Sequence, residues 1–185
     1  MKELSLNILD IAQNSIKAGA AHIGILLDET PDTLELSITD DGCGMTADVV
    51  RGVTDPFFTT RTTRSVGMGI PLLKLAAEQT GGSFSIESVS ERDDPVSHGT
   101  AVRALFYKNH LDFTPLGDVV STVCTLIQGA PDVDWHFCHR FGARTAELDT
   151  AEMRAILGDV PLDSFEVLEW IRQSLLEEYA GFDTQ

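Results

Sequence analysis

The sequence predicts an α+β fold. Segments with helical spacing of apolar residues alternate with short runs in which every second residue is apolar, the early runs are paired through a tight turn, and glycines mark the boundaries. At 185 residues the chain can bury one sizeable core, or one domain plus an appendage. Residues 3–18 place Leu4, Ile8, Ile11, Ser15 and Ala18 at helical spacing, broadened by Leu6, Leu9, Ala12 and Ile16, and Gly19 should end that helix. Ala21 to Asp28 reads as a strand, residues 29–32 with Pro31 as its turn, and Thr33 to Thr39 as its antiparallel partner. Thr46 is a suitable N-cap for a short segment from Ala47 to Arg51. A second helix is expected from Ile70 to Thr80, with Pro71 in its first turn and Gly81-Gly82 ending it. Ser83 to Val89 alternates as a strand, Ser90 to His98 is an acidic loop, and Gly99-Thr100 opens a strand from Ala101 to Tyr107.

Beyond residue 110 the pattern continues as a helix from Leu116 to Ile127 and a hairpin of Asp134 to Arg140 and Arg144 to Leu148 around Phe141-Gly142-Ala143. Thr150 should cap a helix to Leu157, and Ser164 another to about Ala180, with Glu166 suggesting a capping box. These residues, 109–185, read as an acidic α/β appendage to residues 1–108.

The net charge of −16 is unusual for this length. Residues 1–110 carry 15 acidic and 9 basic side chains, residues 111–185 carry 14 and 4, so the acidity is concentrated in the tail half. Such a field repels nucleic acid backbones, and no basic patch offsets it. Cys43, Cys124 and Cys138 form neither a disulfide framework nor zinc-ligand spacing, which suits a reducing compartment. His136 and Cys138 would share one strand face while His139 points to the other, so no common metal site is expected. The N-terminus has no signal-like core and no run approaches a membrane span, so a cytoplasmic location is expected.

Four stretches and one further threonine carry chemistry. The strand Leu34 to Ile38 stops at Asp40, followed by Gly42 and Gly44: glycines let backbone approach a flat ligand, and the carboxylate can accept a hydrogen bond from an exocyclic amine such as that of adenine. The same residues also suit an ordinary strand-end turn. Asp10, Asn14 and Lys17 lie on one helical stripe, where an amide oxygen suits Mg²⁺ and the amine suits a phosphate oxygen; a solvated helix face is the alternative. Gly67 and Gly69 precede a helix, whose free amides and dipole favour phosphate. The polar run Thr59 to Ser65, with Arg61 and Arg64 beyond Phe57 and Phe58, suits a lid over phosphates or a surface loop. Thr100, at a strand start, has a hydroxyl that can support Asp40.

Taken in order, these segments resemble the GHKL ATPase superfamily, from about residue 3 to 108. Ile8 to Lys17 looks like the N box, Asp40 to Gly44 the G1 box, Asp55 to Arg61 the F box, Gly67 to Ile70 the G2 box, and Gly99-Thr100 the final glycine box. The Pro-Phe-Phe-Thr-Thr-basic run and the Gly-Gly pair are most similar to the histidine-kinase branch. The resemblance implies the Bergerat fold, a two-layer α/β sandwich with helices on one face of a mixed, mainly antiparallel sheet. It implies ATP or ADP with Mg²⁺ as ligands. Asp40 would hold the adenine amine in a pocket shaped by Gly42, Gly44 and Thr100, Asn14 would ligate Mg²⁺, and Lys17 would touch phosphate. Arg61 would meet the terminal phosphate, and the amides of Gly67 and Gly69 the others.

The departures bear on what happens to the phosphate. Kinase relatives carry Asn where this chain has Asp10, and hydrolysing relatives carry Glu. Asp is shorter than Glu by about 1.5 Å, so contact through metal or water is expected of it. Val66 replaces a usual Thr, while Met68 and Ile70 replace leucines with similar volume. None of His22, His98, His110, His136 or His139 has the context of a phosphoacceptor, so self-phosphorylation is not expected. The expectation is a stand-alone Mg-ATP-binding module with slow hydrolysis, whose C-terminal region engages a protein partner or a second copy. The alternatives are a Ser/Thr kinase of the anti-sigma type, a kinase subunit acting on a His in another chain, or a non-catalytic scaffold.

Overall fold

The computed structural model describes residues 3–54 and 68–182. Its elements are α1 (Leu4–Lys17), β1 (His22–Glu29), β2 (Thr33–Asp40), α2 (Ala47–Val53), α3 (Gly69–Gln79), β3 (Ser83–Val89), β4 (Gly99–Tyr107), α4 (Val119–Gly129), β5 (Asp134–Phe141), β6 (Arg144–Asp149), α5 (Thr150–Leu157) and α6 (Phe165–Ala180). The strands form one mixed sheet in the order β3-β4-β2-β1-β5-β6, antiparallel at every pairing except β1 with β5.

Strand alternation decides which face is buried. Ile23, Ile25 and Leu27 of β1, Leu34, Leu36 and Ile38 of β2, and Val102, Ala104 and Phe106 of β4 all lie inside. Each of the large ones contributes about 1.5–3 kcal/mol of burial. Against them pack α3, α1, α4 and α6 in that lateral order, through Leu73 and Ala77, Ile8 and Ile11, Val123 and Ile127, and Ile171 and Leu175. The two-layer sandwich inferred from sequence is therefore the fold.

The C-terminal region is more closely joined than an appendage. β5 lies beside β1 in parallel over its whole length, from His22 opposite Asp134 to Glu29 opposite Phe141, so the chain after residue 108 supplies two of the sheet's six strands. Parallel pairing needs a crossover, and α4 provides it, packed on α1.

At the far end of that junction lies a satisfied polar cluster. Buried His139 bonds Glu29 Oε2 at 2.9 Å through Nε2 and the Tyr179 hydroxyl at 2.8 Å through Nδ1, while Lys108 Nζ donates to Glu29 Oε1 at 2.5 Å. Burial resists ionisation of Glu29, but the hydrogen bonds of His139 and Lys108 outweigh it and hold the carboxyl below its ordinary range. His136, on the other sheet face, bonds Glu147 instead.

Three helix caps differ from the sequence expectation. Thr46 precedes α2 but makes no side-chain cap bond. Asp149, not Thr150, caps α5, accepting from the amides of Ala151 and Glu152. The Thr150 hydroxyl is buried and accepts from Trp135 N at 2.7 Å. Ser164 precedes α6 but makes no side-chain cap bond, and Glu166 is only the second residue after it, so no capping box forms. Asp118 caps α4, which begins at Val119 rather than Leu116.

Candidate functional site

β2 delivers Asp40 to the end of the central pair of strands, opposite Ile23 on one side and Thr100 on the other. Its carboxylate is fixed from two directions. Ser15 of α1 donates its hydroxyl to Oδ2 at 2.5 Å, and the Gly42 amide donates to Oδ1 at 3.0 Å. An ionised carboxylate has about four acceptor positions, so both oxygens keep capacity for another donor.

The turn beyond Asp40 is pressed between α1 and the β3–β4 end. Cys43 N donates to Ala18 O at 2.9 Å, and a Cβ on Gly42 would sit 2.8 Å from the Ala18 Cβ. Gly44 is left-handed, at φ 62°, and a Cβ there would fall 1.8 Å from Val89 O. Its neighbours are tied across the gap: Met45 N donates to Ser88 Oγ at 2.8 Å, Glu91 N to Cys43 O at 2.9 Å, and His98 Nδ1 lies 2.6 Å from Gly42 O. The glycines thus let three backbones meet, as the motif required.

Thr100 stands beside Asp40 in register, but its hydroxyl is paired with Ser88 Oγ at 2.8 Å. Ser88 donates in turn to Gly99 O or shares its proton with Thr100. The support expected from Thr100 comes instead from Ser15. Ser15 continues the apolar spacing of Ile8 and Ile11 on the buried face of α1, and a buried hydroxyl there calls for a partner; that was the available signal.

Asp41 anchors the other side of the turn. Its Oδ1 accepts from the amides of Ala21 and His22 at 2.8 and 2.9 Å, and its Oδ2 lies 2.6 Å from His22 Nδ1. Partial burial works against the charge, yet the His22 amide, the His22 ring and the Ala21 amide together hold Asp41 below its ordinary 3.8. His22 is raised above 6.5, first by the hydrogen bond to Asp41 and then by its charge. The raised His22 stabilises the fold fully below about 6.5 and loses that contribution as pH rises through its folded value. The lowered Asp41 contributes above about 3.8 and loses it as pH falls through its own folded value. NMR titration should show His22 returning toward 6.5 in Asp41→Asn.

On α1, Asp10, Asn14 and Lys17 form one stripe; Asp10 and Lys17 are exposed and Asn14 is half-buried. Asn14 immediately precedes the Ser15 that holds Asp40. Asp10 meets the start of α3, since a Cβ on Gly69 would lie 2.9 Å from the Asp10 Cβ. Gly69→Ala should therefore push α1 and α3 apart and cost about 1–3 kcal/mol, read as a lowered midpoint in urea. Arg61 and Gly67, with the whole run from Asp55 to Gly67, lie outside the described residues.

The family model described as "Histidine kinase-, DNA gyrase B-, and HSP90-like ATPase" matches residues 2–110. The sensor histidine kinase ZraS of Escherichia coli O157:H7 is 30% identical over 84 residues, covering 44% of this chain and 18% of that protein. The chain thus spans less than a fifth of that curated relative. Two solved structures share the fold. The Aquifex aeolicus MutL ATPase domain complexed with ADP has a TM-score of 0.55 at 12% identity, over 96% of this chain and 70% of that one. The N-terminal domain of a DNA repair protein has a TM-score of 0.53 at 16% identity, over 80% and 53%. No helix among the described residues is long and apolar enough to cross a membrane.

Proposed function

The chain belongs to the histidine kinase-, DNA gyrase B- and HSP90-like ATPase family and carries an ATP-binding module of the histidine-kinase-like type, and from that premise we propose that nucleotide held at the Asp40 turn governs how residues 109–185 engage a protein partner. The observation that carries this reading is the fixed carboxylate of Asp40: Ser15 and Gly42 orient it, and Gly42 and Gly44 beside it hold close approaches that no side chain would allow. A carboxylate so held accepts the adenine amine without paying to be ordered.

The residues present fit Mg²⁺ and phosphate. α3 starts at Gly69, where free amides and the helix dipole favour an anion. Asp10 lies against that start, and two anions side by side require a cation between them. Asn14, one turn along the same stripe, offers an amide oxygen to that cation, and Lys17 continues the stripe toward phosphate. Bound Mg²⁺ supplies charge neutralisation and orientation of the phosphate oxygens. Asp10 is too short to copy a Glu base directly, which favours slow hydrolysis.

Incubation with γ-labelled Mg-ATP tests the reading. Slow release of inorganic phosphate, lost in Asn14→Ala, is expected. Label appearing on an added partner protein instead would make the chain a phosphotransferase, and no turnover with either would remove the catalytic part of the proposal.

A further inference from the structure

The end of the sheet away from Asp40 carries a feature that nucleotide binding does not use. A cavity of about 390 Å³, open to solvent, lies between the start of α4 and the last turns of α6. Its walls are Leu116, Val119, Val120, Phe141, Leu176 and Phe182. Leu176 is 45% exposed, and Phe165, 77% exposed, lies on the same α6 stripe three turns earlier. Apolar side chains left at the surface beside an apolar cavity mark a contact site.

The cavity's surroundings are mainly acidic along α4 and α6, while Arg144, bonded to Phe182 O, and Lys108, over the Phe141 ring, stand on the β5–β6 side, and Glu178 is bonded to Glu147 N of β6. Asp118 borders the cavity, kept ionised by the hydrogen bonds from the Ser121 hydroxyl and amide. α6 carries Glu166, Glu169, Glu177 and Glu178 against Arg172 alone, and Arg172 donates to Ser121 Oγ at 3.1 Å. Glu29, at the cavity floor, is taken up by Lys108 and His139. Residues 111–185 hold 14 acidic and 4 basic side chains, so a second copy would bring like charge to like charge.

We propose that this groove is the docking site for a basic amphipathic segment of a partner protein, an inference that rests on the reading of residues 109–185 as partner-binding. The segment's apolar stripe enters between α4 and α6, and its Lys or Arg residues meet Asp118, Glu169 and Glu177. The groove shares two elements with the nucleotide site. β1 runs from Ile23, opposite Asp40, to Glu29 at the cavity, about 20 Å along the strand. The first amides of α1, Leu4 N and Ser5 N, donate to Pro115 O and to Leu116 O at the cavity wall, and α1 reaches Asp40 through Ser15.

The test uses a synthetic helix with leucines at spacings of three and four and lysines elsewhere, and a twin with glutamates for the lysines, read by fluorescence anisotropy against the full chain. The lysine peptide should bind in the micromolar range, weaken with added salt, and exceed its twin by at least about tenfold. Leu176→Asp and the double variant E169K/E177K should each weaken it by about tenfold while keeping Mg-ADP affinity, which shows the fold intact. Equal binding of the two peptides, or no effect of either variant, overturns the proposal. So does light scattering that shows a dimer dissociated by Leu176→Asp. Peptide binding without any Mg-ADP binding would instead refute the nucleotide reading and leave the groove standing.

Discussion

Asp40→Asn is expected to lower affinity for Mg-ADP by at least about tenfold while the chain stays folded. The carboxylate receives Ser15 Oγ on one oxygen and Gly42 N on the other. An amide presents one acceptor and one donor, so either the Ser15 hydroxyl must turn to accept or the Gly42 amide loses its acceptor, and an NH₂ group is brought toward the ligand's own amine. A hydrogen bond to a charged group is worth about 1.5–3 kcal/mol, which is roughly ten- to a hundredfold in affinity. Ser15→Ala should reproduce part of that loss, because it frees the carboxylate to rotate without removing it. Calorimetry on the three proteins, with thermal melts as a control, separates the effects. Equal affinity in wild type and Asp40→Asn would show that this carboxylate does not recognise the base.

Gly99→Ala should be the most destabilising of the single changes considered, by about 3 kcal/mol or more. Gly99 has φ 137°, and a Cβ there would lie 2.1 Å from the Asp40 carbonyl oxygen and 3.0 Å from its carbon. Backbone strain of about 1–3 kcal/mol adds to an overlap with main chain that no rotamer can relieve. The relief available is separation of β4 from β2 where Thr100 pairs with Asp40, so the nucleotide site should be lost with the stability. Gly81→Ala is the control: it is also left-handed, at φ 78°, but nothing lies within 4 Å of its added Cβ. That variant should lose only about 1–2 kcal/mol. Urea denaturation measures both, and a Gly99→Ala protein no weaker than Gly81→Ala would contradict the close approach of the two strands.

What the sequence made legible follows its periodicities. The alternation through Leu34, Leu36 and Ile38 and the helical spacing of Leu4, Ile8 and Ile11 placed the core layer, because burial of one face is what both patterns encode. Glycine spacing placed the Asp40 turn, since backbone contact this close excludes any side chain. The partner of a strand is less visible. Nothing local in Asp134 to Phe141 says that it lies parallel to β1, since that pairing depends on the α4 crossover and on residues more than 100 positions apart. Side-chain partners were likewise hidden: Thr100, at a strand start, was the expected support for Asp40, yet Ser88 claims its hydroxyl and Ser15 on α1 takes the role. Cap residues were misplaced by one position at α5, where Asp149 and Thr150 are both competent and Trp135 N decides between them.

The most direct measurement of the central claim compares Mg-ADP with Mg-inosine diphosphate by calorimetry. The two differ where adenine carries its amine and hypoxanthine a carbonyl oxygen. If Asp40 reads that amine, ADP should bind and inosine diphosphate should bind at least about a hundredfold more weakly, because its carbonyl would face a fixed carboxylate. Equal affinity for both nucleotides, or none for either, would contradict the assignment of this turn as the adenine site.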